Sequence, residues 1–391
     1  MNTKKAFVCL AFTLFLATAS SVQAAGTDSR YFVKSTSQFW EKSFQARNIF
    51  DSGFTADLSG WQLNVAKVFG IEVTPVKRLN ILAVATTTKK TATKPLAKTP
   101  FNQIGWGIKA IYGDTLNSAL PSGGDGVNVA VLDTGALVAH PDLKGQVTAC
   151  DDFSGVDSFL KNSCDDKNGH GTLVAGVIAG NAGPAGKGIY GVAPQANLMI
   201  YKVCANDGTC FADDVAAAIY YGADNSANII LLSLGSDSEN SLIDDAISYA
   251  AGKDVIVVGA AGNDGPYTGS IDYPASNINV VSVGAVDGTL AVPDWSARGN
   301  NEASTSYTKD AGDLELVAPG VNIESTANNG YYMTSSGTSM AAAHIAGLVA
   351  KEWQADADHP AEATRELLHQ FSQDILPIGD DNASGWGMPQ L

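Results

Sequence analysis

Residues 129–135 read Val129-Ala130-Val131-Leu132-Asp133-Thr134-Gly135. A short, continuous apolar run closed by Asp-Thr-Gly has the form of a strand buried on both faces and ended by a tight turn. Similar runs recur at residues 198–203, 229–234, 255–258, 280–283 and 314–317, and helical periodicity occupies 213–223, 241–251, 339–353 and 361–371. Strands of this kind alternating with helices predict an α/β fold with a largely parallel sheet covered on both faces. In such sheets active sites lie beyond the carboxyl ends of the strands. Asp133 therefore stands where chemistry is expected.

Three other segments belong to loops of the same kind. Asn168-Gly169-His170-Gly171-Thr172 puts an imidazole at the start of an apolar helix, and Ser336-Gly337-Thr338-Ser339-Met340-Ala341 puts a hydroxyl at the start of another. Gly259-Ala260-Ala261-Gly262-Asn263-Asp264-Gly265 is a glycine-rich turn that carries an amide after a buried strand. Taken singly, each polar residue reads as a turn or helix cap. Together they supply an acid, a base, a nucleophile and an oxyanion donor.

With these segments in chain order (acid, imidazole, hydroxyl), the sequence resembles the subtilisin family of serine proteases. The match adds His140-Pro141-Asp142-Leu143, Tyr190-Gly191-Val192-Ala193-Pro194, Ser233-Leu234-Gly235 and Asp272-Tyr273-Pro274-Ala275-Ser276, and it covers about residues 101–391. The resemblance implies a three-layer α/β peptidase domain over residues 99–391. It makes Ser339 the nucleophile, His170 the general base and Asp133 the residue that orients the imidazole, with Asn263 as oxyanion donor. An esterase of the Gly-x-Ser-x-Gly kind would place its serine before the acid and the histidine, which this chain does not. A catalytically silent scaffold would lack members of the set. Two positions depart from the family pattern: Leu173 stands where many relatives have a second His, and Ala343 where they have Pro.

The resemblance also implies a substrate cleft. Ser233-Leu234-Gly235 and Asp207-Gly208-Thr209 are the two segments between which an extended protein or peptide substrate pairs through its main chain, which favours broad specificity. Ala260 and Gly262 also belong to the substrate-binding set. Asp272 aligns with the floor of that pocket, where a carboxylate pairs with Lys or Arg; the alternative is that it points away and caps a loop. Structural calcium is the one cofactor implied, with Asp142 and Asn181 as ligands and no organic cofactor. Asp142 could equally cap its turn, and the loop 181–189 departs from the family's calcium loop. The acidic pairs Asp151-Asp152, Asp165-Asp166 and Asp213-Asp214 read as solvated surface.

Further out, the charge is uneven. The 391-residue chain has a net charge of −16, but residues 1–100 hold 13 basic and 5 acidic side chains, leaving −24 for the remainder. So acidic a chain lacks the basic face a general nucleic-acid partner needs. Lys4 and Lys5 precede an apolar run and the small residues 19–24, the pattern of a signal peptide over residues 1–24 cut after Ala24. An uncleaved anchor is the other reading, but the run falls short of the roughly 18 to 20 residues that span a membrane. A secreted, monomeric protein follows, with a periplasmic stage where the cell has one. Residues 25–98 correspond by position to a small α+β propeptide, a transient inhibitor and folding assistant, ending in a Thr-, Lys- and Pro-rich linker at 86–98. Cleavage after Lys98 would suit an acidic pocket. Cys150, Cys164, Cys204 and Cys210 remain after export, an even number that favours disulfides over a zinc site lacking paired CxxC ligands. Three pairings are open, and Cys150 with Cys164 and Cys204 with Cys210 would each close a short loop.

Overall fold

A computed structural model of the chain describes residues 29–82, 98–117, 119–155, 159–302, 304, 309–375 and 379–391. The signal-peptide reading at 1–24 and nearly all of the linker, 86–97, lie outside these residues. The described chain divides into two compact units, residues 29–46 with Asp51–Pro75, and Arg47–Phe50 with Val76–Leu391.

In the first unit, the strand Arg30–Val33 pairs antiparallel with Gly53–Asp57 on one side and Val73–Pro75 on the other. The helices Gln38–Phe44 and Gly60–Val68 accompany this sheet. The second helix begins in a reciprocal cap. Ser59 Oγ accepts the Gln62 N–H, and the Gln62 side chain accepts the Ser59 N–H. Val33, Phe44, Phe54, Ala56, Leu58 and Ala66 form a small core, in agreement with the expected α+β character.

The second unit is built on an eight-stranded sheet. Its order is Leu316–Pro319, Val280–Val286, Ile256–Ala260, Ile229–Leu232, Asn128–Asp133, Asn197–Lys202, Val147–Asp152 and Leu160–Lys161. All neighbours are parallel except the last pair. Every residue of Ile229–Leu232, Ile256–Ala260 and Val280–Val286 is buried, which requires cover on both faces and explains the unbroken apolar runs. The chain first extends the sheet to one side of Asn128–Asp133 and then to the other. The topological switch, where such sheets open a crevice, therefore falls at the end of the strand that carries Asp133.

Two helices approach that crevice. His170–Ala179 and Thr338–Lys351 pack on one another, and the latter also lies against the strands at 229–232, 256–260 and 280–286. Small residues allow the close approach: a Cβ on Gly347 would come 2.7 Å from Val192 Cβ. Leu173 and Ala343, the two departures from the family pattern, are buried packing residues of these helices.

One strand was not foreseen as part of this unit. Arg78–Ile81 forms the middle of a three-stranded antiparallel sheet between Thr209–Phe211 and Leu234–Gly235. Both local disulfides are present, Cys150–Cys164 and Cys204–Cys210.

Candidate active site

Asp133 ends its strand almost wholly buried, and its Oδ1 accepts the N–H of Thr134 at 2.7 Å. His170 Nδ1 lies 2.9 Å from both Asp133 carboxylate oxygens. That bond fixes the ring and leaves Nε2 as the nitrogen able to take a proton. The close contact has a glycine basis. Gly135 turns with φ +104°, and a Cβ on Gly171 would meet Asp133 Cβ at 3.1 Å. Burial disfavours the His170 imidazolium, but Asp133, with help from Asp166, more than offsets this and raises its pKa above the ordinary value.

Ser339 sits in the first turn of Thr338–Lys351, where its own N–H has no intrahelical acceptor. Its Oγ donates to the carbonyl of Leu82 at 2.9 Å, and the Ser233 carbonyl lies 3.4 Å away. His170 Nε2 is buried without a hydrogen-bond partner. Asn263 Oδ1 accepts the N–H of Thr338 at 3.0 Å and its hydroxyl at 3.2 Å. Pinned in this way, the Asn263 amide keeps a buried, unpartnered Nδ2 beside the helix start that carries Ser339. An N–H donor left without an acceptor in a buried site is poised for an oxyanion.

The segments read as substrate strands do hold an extended chain, and that chain is the protein's own. Thr209 pairs with Asn80, and Leu234 with Ile81. The Ile81 N–H donates to the Gly208 carbonyl at 3.0 Å, and the Leu82 N–H to the Ser233 carbonyl at 3.2 Å. Asp207 stands at the turn before this strand, where its carboxylate accepts the Thr209 N–H. The Cys204–Cys210 bridge ties both ends of that turn. The ammonium of Lys98 lies 6.0 Å from the Tyr331 ring centre.

Asp272 is buried, walled by two glycines. A Cβ on Gly235 would come within 2.9 Å of its Oδ2, and one on Gly262 within 2.6 Å. Ala260 ends the strand that leads into this wall.

Asp142 and Asn181, the expected calcium ligands, both make hydrogen bonds within the protein. Asp142 Oδ2 accepts the Ile189 N–H at 2.8 Å, and the Tyr332 hydroxyl also bonds this carboxylate. Gly188 packs directly on it. Asn181 Oδ1 accepts the Gly183 N–H, and its Nδ2 donates to Gln146. These bonds tie the loop 181–189 to Asp142.

One expectation needs correction: the acidic pairs are not all solvated. Asp213 and Asp214 are fully buried, and they hold Asn48 and Arg47, the Arg47–Asp214 contact being 3.1 Å. Asp166 is the most consequential. Its Oδ1 accepts from Thr134 Oγ1, Asn168 N–H and Gly169 N–H, and its Oδ2 from Thr172 N–H and Thr172 Oγ1. One carboxylate thus ties the residue after Asp133 to the helix turn that carries His170. Lys202, whose pKa burial lowers, donates from the neighbouring strand to the Thr134 and Cys204 carbonyls.

Comparison with known proteins gives one answer. The sequence profile of the subtilase family matches residues 124–387. The chain is 43% identical over 355 residues to Subtilisin of Bacillus sp. (strain TA39), covering 86% of this chain and 83% of that one. It is 37% identical to Intracellular serine protease of Paenibacillus polymyxa over 262 residues, 66% of this chain and 76% of that one. Among solved structures it resembles Sphericase, with a TM-score of 0.71 and 42% identity over 74% of this chain and 99% of that one. It also resembles S41 Psychrophilic Protease, with a TM-score of 0.70 and 43% identity over 77% of this chain and 100% of that one. The α/β sheet with its covering helices is the three-layer subtilisin fold, and the chain belongs to the subtilase family of serine peptidases.

Proposed function

We propose that the chain is a secreted serine endopeptidase, made as a precursor that cuts itself after Leu82, with Asp133, His170 and Ser339 as its catalytic triad. The observation that carries this reading is the seating of residues 78–82. Their main chain pairs with both walls of the cleft, and the Leu82 carbonyl accepts from Ser339 Oγ at 2.9 Å.

In the proposed reaction, the Ser339 Oγ proton passes to His170 Nε2 as Oγ bonds to the carbonyl carbon. The oxyanion accepts from Asn263 Nδ2 and the Ser339 N–H, a donor pair in which losing one member costs about 2.7–4 kcal/mol. His170 then delivers its proton to the departing amine as the C–N bond breaks. Water, deprotonated by His170, releases the acid from the acyl-enzyme and restores Ser339. Asp133 keeps the imidazole in the tautomer that both transfers need.

Residues up to Leu82 act as the transient inhibitor, since the product strand fills the cleft until it leaves. Main-chain pairing makes specificity on proteins broad, and Asp272 in the pocket adds acceptance of Lys and Arg before the cut. Export is supported by the leader pattern of residues 1–24 and by two disulfides, which persist in oxidising compartments. Among the described residues no helix is long and apolar enough to cross a membrane.

The test is Ser339→Ala. The variant should remain an uncut precursor, fail to react with a fluorophosphonate and leave casein intact. Casein cleavage by the purified variant would remove the mechanism.

A further inference from the structure

We propose that the primary pocket beside Ser339 has two settings, taking a leucine-like side chain when Asp272 holds a proton and a lysine or arginine when it does not. This rests on the reading of Asp272 as a wall of that pocket.

Three observations converge on it. The first is the residue already seated there. Leu82, not a basic residue, has its N–H on the Ser233 carbonyl and its own carbonyl at Ser339 Oγ. Its apolar side chain packs, partly buried, against the main core cluster. An ionised carboxylate desolvated beside an apolar side chain is costly, so a leucine side chain entering a pocket walled by Asp272 would favour the neutral acid.

The second is the absence of compensation. Asp272 is 6% exposed, and among the described residues none donates a hydrogen bond to its carboxylate. Gly235 and Gly262 flank it with no side chain between. The elements around it bring only negative charge: Asp237, beyond Leu234–Gly235, and Asp264, beyond Ile256–Ala260, offer carboxylate oxygens within 4.8 Å of its own. The neighbouring Tyr273 hydroxyl is turned to Asp244. Lys77 reaches the same turn but is held by Ser238 Oγ and the Glu239 carbonyl.

The third is the consequence for the proton. Burial, then Asp264 and Asp237, push the Asp272 pKa up to about 7. A cationic side chain entering the pocket reverses the balance. It supplies the missing counter-charge, and the acid releases its proton to solvent as the ion pair forms. Leucine entering the ionised pocket does the opposite and takes a proton up. The proton therefore selects between two classes of cut site within one pocket.

The experiment uses the mature enzyme and two peptides identical except for Leu or Lys before the cut. kcat/KM is measured for both between about pH 5.5 and 9, below the range in which lysine itself titrates. Taking the Lys/Leu ratio cancels the ionisation of His170, which both substrates share. The ratio should rise with pH by at least about tenfold and level off above neutrality. Asp272→Asn should flatten it in favour of Leu, and Asp264→Asn should move its midpoint to lower pH. A wild-type ratio that favours Lys but does not change with pH overturns the switch and leaves the acidic pocket standing. A flat ratio that favours Leu overturns both. If neither peptide is cut by enzyme that digests casein, the placement of Leu82 in the pocket is wrong. The wild-type ratio decides by itself if a variant does not fold.

Discussion

Ser339 Oγ donates to the main-chain carbonyl of Leu82 at 2.9 Å, across 257 residues of sequence. The hydroxyl is thus committed to this peptide group rather than to the imidazole that would activate it. First-cut product recovered early from secretion should therefore begin at Ala83. Leu82→Pro removes the N–H given to Ser233 and should slow the appearance of mature protein at least about tenfold, because one positioning bond and the extended geometry are lost together. Edman sequencing of a time course checks both. A first product beginning at Thr99 would remove the assignment.

Asp166 acts on catalysis through His170, as a positioning residue. In Asp166→Asn an amide N–H faces donors that a carboxylate satisfied, and the His170 turn loosens against Thr134. kcat should fall about ten- to a hundredfold with KM little changed. Because Asp166 also raises the His170 pKa, the acid limb of kcat/KM should move to lower pH. Asp166→Glu should restore part of the rate. A variant with altered melting temperature but an unshifted pH profile would reduce Asp166 to a purely structural role.

The pH profile of the native enzyme follows from the same histidine. Catalysis needs the neutral imidazole, and Asp133 favours the charged one, so the acid limb should lie above the ordinary histidine value of 6.5. Asp133→Asn removes that pull and the tautomer control together. Activity should drop by roughly 10⁴-fold, with the limb displaced downward.

Cys204 and Cys210 are separated by 6 residues, and their bridge closes the turn that backs the strand Thr209–Phe211. Replacing both by Ser should lower stability by about 2 kcal/mol. The same change should raise KM for peptides more than it lowers kcat, since the strand is a wall of the cleft rather than part of the triad. Thermal melts beside steady-state kinetics on a peptide substrate separate the two effects.

How far the sequence could be read depended on whether a residue's fate was local. The strands at 229–232, 256–260 and 280–286 were legible because both their faces are buried and the run is uninterrupted. Asp133, His170, Asn263 and Ser339 were legible because each lies in a distinctive loop. Asp166 was not, since it stands between Asp165 and Lys167, both solvent-facing, and looks like a member of a solvated pair. Only the arrival of Thr134 and Thr172 turns it inward. Asp213 and Asp214 were misread for the same reason, as their partners Arg47 and Asn48 lie more than 160 residues away. The bond from the Ile189 N–H to Asp142 was not legible, because it comes from a loop whose course the sequence does not reveal.

The middle strand of the small sheet, Arg78–Ile81, is what joins Thr209–Phe211 to Leu234–Gly235. Under the proposed cut after Leu82, its departure would leave two facing edges of unpaired amides and carbonyls that any extended chain can bridge. In a concentrated preparation that visitor is an unfolded copy of the same protein. Shelf life is then a matter of crowding among siblings: material is lost at a rate that rises as the square of concentration, so the half-life falls in inverse proportion to it.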